Sequence, residues 1–262
     1  MTGKLDLSSV TLVAVETRAH ELMRMAIDEC LARADFGGIL ICSDRFEHFN
    51  ILGADLVEVE DWPEKVGWSR YFWQGVAPHV KTPQTLNIQW DSWIVNRAMW
   101  TNAYLDYDYI GAPWWHTDGH NVGNGGFCLR SKRLIDFVAA NADRYPIFTS
   151  NDDNLICRKY RADLEREGGF RWAPDDLASM FSFESPSEII QNVDLKFVRP
   201  NPDAPHFGFH AMRNWVFELN EEALLKRTRL ALDNKYISGT RMVKELFSFA
   251  PWLPSLLEFY GG

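Results

Sequence analysis

The chain has 262 residues, 46% of them hydrophobic and 24% charged, enough for one large domain or one and a half small ones, with a substantial core. A formal net charge of -9 argues against a nucleic-acid binder, which draws on clustered Lys and Arg, so an anionic ligand needs cations concentrated at its own site. MTGKLDLSS at the N-terminus lacks the apolar core of a secretory signal, and no stretch approaches the ~18 consecutive apolar residues of a spanning helix; a cytoplasmic protein, at most peripheral at the inner membrane face, is expected.

The first elements follow from hydrophobic periodicity. VTLVAVET (10–17) is a continuous, β-branched apolar run that reads as a strand. RAHELMRMAIDECLARAD (18–35) repeats apolar positions at helical spacing through Leu22, Met25, Ala26 and Cys30. GGILICSD (37–44) and ADLVEVED (54–61) add two short strands. This β-α-β-β opening predicts an α/β fold with a mixed, mainly parallel sheet flanked by helices. Glu16, Thr17 and Arg18 fall at the carboxyl end of the first strand, the edge where open α/β sheets bind ligands, although Thr17 can equally be a helix N-cap.

Residues 68–79 are aromatic without a clear period, TLNIQWD (85–91) resumes strand character, and SWIVNRAMWTNAYLDY (92–107) returns to helical periodicity. YDYIGAPW (107–114) and NVGNGGFCLR (121–130) read as strands, and SKRLIDFVAANADRY (131–145) as a helix capped by Ser131. DDNLICRKYRADLEREGG (152–169) is a helix opened by acids and closed by Gly168 and Gly169; IIQNVDLKFVRP (189–200) and FGFH (207–210) are late strands. After Trp215 the chain turns to a charged amphipathic helix and then to an aromatic segment interrupted by Pro251 and Pro254. The division expected is a domain over 8–215 and a helical C-terminal appendage over 216–262 packed on it. The competing reading of those aromatics is a patch for a membrane surface or a partner subunit. Cys30, Cys42, Cys128 and Cys157 lack C-x-x-C spacing and lie in apolar patterns, as reduced core residues do.

Residues that carry chemistry gather in a few places. YLDYDYIGAPWWHTDGHNVGNGGFCLR (104–130) sets Trp114 and Trp115 beside a glycine turn. Gly123, Gly125 and Gly126 remove side-chain walls, which lets a ligand approach main-chain N–H groups; an ordinary hairpin turn with Asn124-Gly125 at positive φ accounts for the same residues. The 11 Trp and 17 Phe exceed the usual needs of such a core, and ring faces suit sugars and nucleobases alike, with core packing favoured for one of Trp114 and Trp115. IQWDSW places Asp91 at a strand end, SNDDN places Asp152 and Asp153 at a helix start, and FGFHAMRNW places His210 after a late strand. Taken singly, each has a purely structural role open to it: helix capping for the acids, core packing for the histidine.

In their order and spacing, IQWDSW, YDYIGAPW, GNGGFCLRS, SNDDN and FGFHAMRNW resemble a glycosyltransferase-like bacterial family, long labelled as a domain of unknown function, with the GT-A fold of nucleotide-diphospho-sugar transferases. The resemblance runs from VTLVAVETR at Val10 to about Trp215. It implies an inverting glycosyltransferase that moves a sugar from a nucleotide-sugar donor to a hydroxyl of a glycan or glycolipid acceptor, in polysaccharide or glycoconjugate synthesis. Glu16, Thr17, Arg18, Gln89 and Asp91 are the implied donor-binding residues, and Trp114, Trp115, Asn124, Gly125 and Gly126 the implied acceptor and sugar site. Asp91 and His210 are the implied ligands of a Mg or Mn cation, completed by diphosphate oxygens and water. Such enzymes carry a D-x-D tripeptide; here it reads Gln89-Trp90-Asp91, with one of the two carboxylates. Asp153 is the implied general base and Asp152 its positioning neighbour. The alternative from another class is a non-catalytic carbohydrate- or nucleotide-binding protein on the same fold, which has no use for converging Asp91, Asp153 and His210.

Overall fold

The computed structural model describes residues 3–62, 65–116, 118–149, 151–184 and 205–259. β1 (Leu5–Glu16) is buried almost continuously from Val10 onward, as its apolar run requires of a strand covered on both faces. α1 (His20–Arg33) returns along the sheet, β2 (Ala34–Ser43) pairs parallel to β1, and β3 (Asp55–Glu58) pairs parallel to β2. α2 (Lys65–Arg70) runs on into a π-helical turn over Tyr71–Gly75, and β4 (Gln84–Ile88) pairs parallel to the other side of β1. Then come β5 (Trp93–Ile94), β6 (Tyr109–Ile110) and β7 (Phe127–Ser131), with β7 antiparallel to both β4 and β6. The main sheet has the order β3-β2-β1-β4-β7-β6, mixed and parallel through its first four strands. β2 lies on one side of β1 and β4 on the other, so the order reverses there and opens a crevice at the carboxyl ends of β1 and β4.

Downstream lie α3 (Lys132–Ala140), α4 (Asp152–Asn154), α5 (Arg161–Gly168), α6 (Asp175–Phe181) and β8 (Ser182–Phe183). Ser131 Oγ caps α3 by accepting the Leu134 N–H at 3.2 Å, and Gly169, with φ of 60°, closes α5. A π-helical turn over Leu155–Lys159 separates α4 from α5. The chain continues through β9 (Gly208–Phe209), α7 (Trp215–Glu218), α8 (Glu221–Asp233), α9 (Arg241–Phe249) and α10 (Leu253–Phe259). The strand expected over 189–200 lies outside the described residues.

Two expectations fail for local reasons. The helix expected over 92–107 is instead β5 followed by 3₁₀ turns at Arg97–Met99 and Asn102–Asp106. Asn96 Oδ1 accepts the Ala98 N–H at 3.0 Å and Thr101 Oγ1 accepts the Ala103 N–H at 3.3 Å, so side chains take the amides a longer helix would use. The strand expected over 121–130 begins at Phe127; the residues before it form a turn in which Asn124 alone of that segment has positive φ, at 62°. A type I′ turn needs two such residues.

Leu224, Val243, Leu246 and Leu253 of the C-terminal helices belong to the same buried cluster as Leu12, Leu22 and Ile88. Each such side chain contributes about 1.5–3 kcal/mol on burial. Arg227 of α8 reaches Glu29 of α1 at 2.9 Å while its guanidinium lies 4.3 Å from the centre of the Trp93 ring. All four cysteines are free and buried. No helix among the described residues is long and apolar enough to cross a membrane. A methyl group at Gly111 would meet the Gly123 carbonyl oxygen at 2.0 Å, a backbone contact that cannot swing aside. Gly111→Ala is therefore expected to destabilise the protein by about 1–3 kcal/mol in urea unfolding, and an unchanged midpoint would show that the turn relaxes freely.

Candidate functional site

A second, three-stranded sheet assembles the site. β5 pairs antiparallel with β9, Trp93 opposite Phe209 and Ile94 opposite Gly208, and β8 runs parallel on the other side of β9. Asp91, Glu184 and His210 lie just beyond these strand ends and so meet, although they are far apart in sequence. The His210 N–H donates to Phe183 O at 2.9 Å, and the Met212 N–H donates to Asp91 Oδ2 at 3.1 Å. His210 Nε2 then stands 3.5 Å from Asp91 Oδ1, and Nδ1 stands 3.4 Å from Glu184 Oε1. The turn carrying Asp91 is pinned to β7, since Ser92 Oγ donates to Gly126 O at 2.6 Å. Ala211, between His210 and Met212, has φ of 85° and ψ of 133°, a conformation that costs a non-glycine residue about 1–3 kcal/mol and that the surrounding structure must hold in place.

Burial pulls the His210 pKa down, but the Asp91 and Glu184 carboxylates on either side outweigh it and hold the imidazole above its ordinary value. Burial likewise pushes Glu184 up, yet His210 and Arg213 keep it below the usual carboxylate range. Arg213 Nη2 donates to Glu184 at 3.1 Å and Nη1 to Glu245 of α9 at 2.9 Å. Among the described residues no three His, Cys, Asp or Glu groups are arranged around a common metal position. Asp91 and His210 nevertheless fit as two ligands. Asp91 Oδ1 is buried and accepts no hydrogen bond from any described residue, while Glu184 sits behind the other imidazole nitrogen, as carboxylates do behind metal-binding histidines.

Asp91 and His210 face a cavity of about 220 Å³ at the carboxyl ends of β1 and β4. Glu16, Thr17, Arg18 and Gln89 line it as well, so the residues expected to bind a donor share one space with the expected cation ligands. Thr17 does not cap α1, whose N-cap is Ala19; Glu16 Oε1 accepts the Arg18 N–H at 2.7 Å and the Ala19 N–H at 2.9 Å in the turn that leads into the helix. Burial nonetheless raises the Glu16 pKa. Sequence reasoning missed Glu184, Arg213 and Tyr236 in this lining. Strands of two residues and a lone tyrosine in a charged stretch give no periodic signal.

The acid pair stands across the glycine turn from His210. Asp152 is buried, accepting from Trp73 Nε1 at 2.6 Å and Ser69 Oγ at 3.0 Å, with Arg130 Nη2 at 3.9 Å. Burial raises its pKa, and Arg130 with the two donors works against the rise. Asp153 is half-buried; its Oδ2 accepts the Gly125 N–H at 3.2 Å and its Oδ1 the Asn154 N–H at 2.8 Å. Burial, then the charge of Asp152, push Asp153 up to about 6. Asn124 links the two halves: its side-chain nitrogen donates to Glu184 and lies 3.1 Å from His210 Nδ1.

The glycines serve the protein's own side chains rather than an open main-chain surface. A methyl group at Gly123 would meet the Trp114 ring at 2.1 Å, and one at Gly126 would meet the His210 ring at 2.0 Å. The Gly125 and Gly126 N–H groups are already taken, by Asp153 and by Asn124 Oδ1. Trp114 is buried in one cluster with Trp73, Tyr109 and Cys128, the core packing favoured for one of the two tryptophans. Trp115 is 41% exposed, and neither tryptophan borders the cavity.

Residues 63–222 match the model of a family described as "Protein of unknown function (DUF5672)". No curated protein sequence matches the chain. Among solved structures, the chain is similar to the apo-form glycosyltransferase GlyE of Streptococcus pneumoniae, at 11% identity and a TM-score of 0.45. That match covers 98% of this chain, which spans 63% of the length of the GlyE chain. It is similar to the galactosyltransferase LgtC in complex with donor and acceptor sugar analogs, at 12% identity and a TM-score of 0.47 over 76% of this chain and 86% of that one. It is also similar to a mannosyltransferase of Pyrobaculum calidifontis in complex with GDP-Man and Mn2+, at 10% identity and a TM-score of 0.43 over 98% of this chain and 73% of that one.

The contact of Gly126 with His210 gives a test of the electrostatics that needs no substrate. Gly126→Ala should drive the imidazole away from Asp91 and Glu184 and return its pKa downward, toward the ordinary histidine value. NMR titration of the histidine ring protons, with His210→Gln to assign the resonance, reads the shift; an unmoved pKa would mean that these two carboxylates are not its cause.

Proposed function

We propose that this chain, which belongs to the DUF5672 family of proteins of unknown function, is a glycosyltransferase that moves a sugar from a nucleotide-sugar donor to a hydroxyl acceptor with inversion. The observation that carries the reading is the arrangement about Asn124. On one side lies a cavity shared by Asp91, His210, Arg18, Lys65 and Arg213; on the other lies Asp153, an acid raised to about 6. Transfer needs a counter-charge for the departing diphosphate and a base for the acceptor hydroxyl, and the two sides supply these separately.

In this reading the donor diphosphate lies in the cavity against Arg18, Lys65 and Arg213. A divalent cation held by Asp91 and His210 would neutralise the charge that develops on the leaving group. Trp73, Ser69 and Arg130 work against the rise that burial imposes on Asp152, and the charge of Asp152 adds to burial in making Asp153 basic. Asp153, steered by the Gly125 and Asn154 N–H groups, takes the proton of the acceptor hydroxyl as that oxygen bonds to the anomeric carbon and the diphosphate leaves from the opposite face.

A thermal-shift screen of nucleotides and nucleotide sugars, with and without manganese, identifies the donor, and single-turnover transfer then tests the roles. Asp153→Asn is expected to lower turnover by about 10²-fold or more with nucleotide affinity nearly unchanged, and Asp152→Asn to hurt less. A base must be deprotonated to act, so wild-type activity should fall as the pH drops through about 6, and this acid limb should be absent from the residual activity of Asp153→Asn. Near wild-type rates for Asp153→Asn would remove the base, and retained anomeric configuration would remove direct displacement. Nucleotide or sugar binding without any transfer or donor hydrolysis would favour the non-catalytic alternative.

A further inference from the structure

Beside the cations Arg18, Lys65 and Arg213 and the carboxylates Glu16, Asp91 and Glu184, the cavity lining holds aromatic side chains that a diphosphate has no use for. Of these, Tyr236 in the α8–α9 connection is 40% exposed, whereas Trp68 and Trp90 are committed to their own packing: Trp68 Nε1 donates to Val15 O at 2.8 Å and its ring stacks on Phe72 at 4.7 Å, and Trp90 packs edge-on to Trp215 at 5.8 Å. Tyr236 is nonetheless fixed in place. Asn234 Oδ1 accepts the Tyr236 N–H at 2.9 Å, Asn234 Nδ2 donates to Arg18 O at 2.8 Å, and Ile237 beside it is buried. The connection from the C-terminal helices is thereby fastened to the end of β1, where the crevice opens. Two cations address the phenol ring: the Arg18 guanidinium lies 5.1 Å from its centre and the Lys235 ammonium 4.7 Å.

An exposed aromatic ring, held by its own turn at the rim of a cavity and addressed by Arg18 and Lys235, is built to stack on a flat group attached to an anion. We propose that Tyr236 is the nucleobase platform of this cavity: the base of a nucleoside diphosphate stacks on its ring while Arg18 spans from that ring to the phosphates. The inference rests on reading the cavity as a nucleotide-donor site, and it assigns to the C-terminal segment the recognition of the base, a part that its packing on the sheet does not require.

The test is calorimetric titration of the full-length protein with UDP, GDP, CDP, ADP and inorganic pyrophosphate in the presence of magnesium. The wild type should bind at least one nucleoside diphosphate more tightly than pyrophosphate. Tyr236→Ala should weaken that nucleotide about tenfold and leave pyrophosphate unchanged, and Tyr236→Phe, which keeps the ring, should restore the affinity. Unchanged nucleotide affinity in Tyr236→Ala overturns the platform while leaving the cavity reading intact. An equal loss for nucleotide and pyrophosphate also overturns it, because the residue would then act through Arg18 alone. A wild type that binds neither nucleotide nor pyrophosphate removes the proposed function along with the platform.

Discussion

The backbone pairing of β5 with β9 is the constraint on which the site depends. Two opposed residue pairs fix the register, and Asp91 and His210 meet only because each lies just past that pairing. Strands this short do not hold by their own hydrogen bonds. They hold because Trp93 packs edge-on to Phe209 at 4.6 Å, is covered on another side by the Arg227 guanidinium, and neighbours Trp215. Gly208 is required in the same place, since a methyl group there would meet the Phe127 ring at 2.2 Å. The aromatic core thus sets the positions of charged groups that have no strong geometric preference of their own.

Charge is handled differently on the two sides of Asn124. On the His210 side, acidic and basic groups alternate from Asp91 through His210, Glu184, Arg213 and Glu245 to the exposed Arg241, so every buried carboxylate in the series faces a basic group. On the Asp153 side the compensation is incomplete. Arg130 is fully buried, with its guanidinium 4.3 Å from the Phe72 ring and 3.8 Å from the Trp73 ring, and it answers one carboxylate, Asp152. Its neighbour Asp153 accepts from two backbone N–H groups, while burial and then the charge of Asp152 hold its proton to higher pH than an ordinary carboxylate's. Two π-helical turns, Tyr71–Gly75 and Leu155–Lys159, lie on either side of this pair, and such turns are frequent where function displaces regular helix.

What the sequence disclosed follows from how far each signal reaches along the chain. The β-α-β-β opening was legible because long apolar runs leave a strand or helix little choice. Asp91, Asp153 and His210 are singled out by the order and spacing of whole motifs, since each alone has a structural role open to it. Glu184 could not: its strand is two residues long and its importance comes from a neighbour in β9. The helix expected over 92–107 fails because periodicity ignores the capping done by Asn96 and Thr101. The glycine turn looked like an opening for a ligand, and the missing methyl groups are in fact filled by Trp114 and His210, a distinction that requires the third dimension.

The match to residues 63–222 takes in Asp91, Asp152, Asp153, Glu184, His210 and Arg213, while Glu16, Arg18 and Tyr236 lie outside it on either flank. The cavity is therefore lined from three stretches of chain, the matched one and a flank at either end, and substitutions at Arg18 or Tyr236 alter its lining while leaving the β5–β9 pairing that brings Asp91 to His210 untouched.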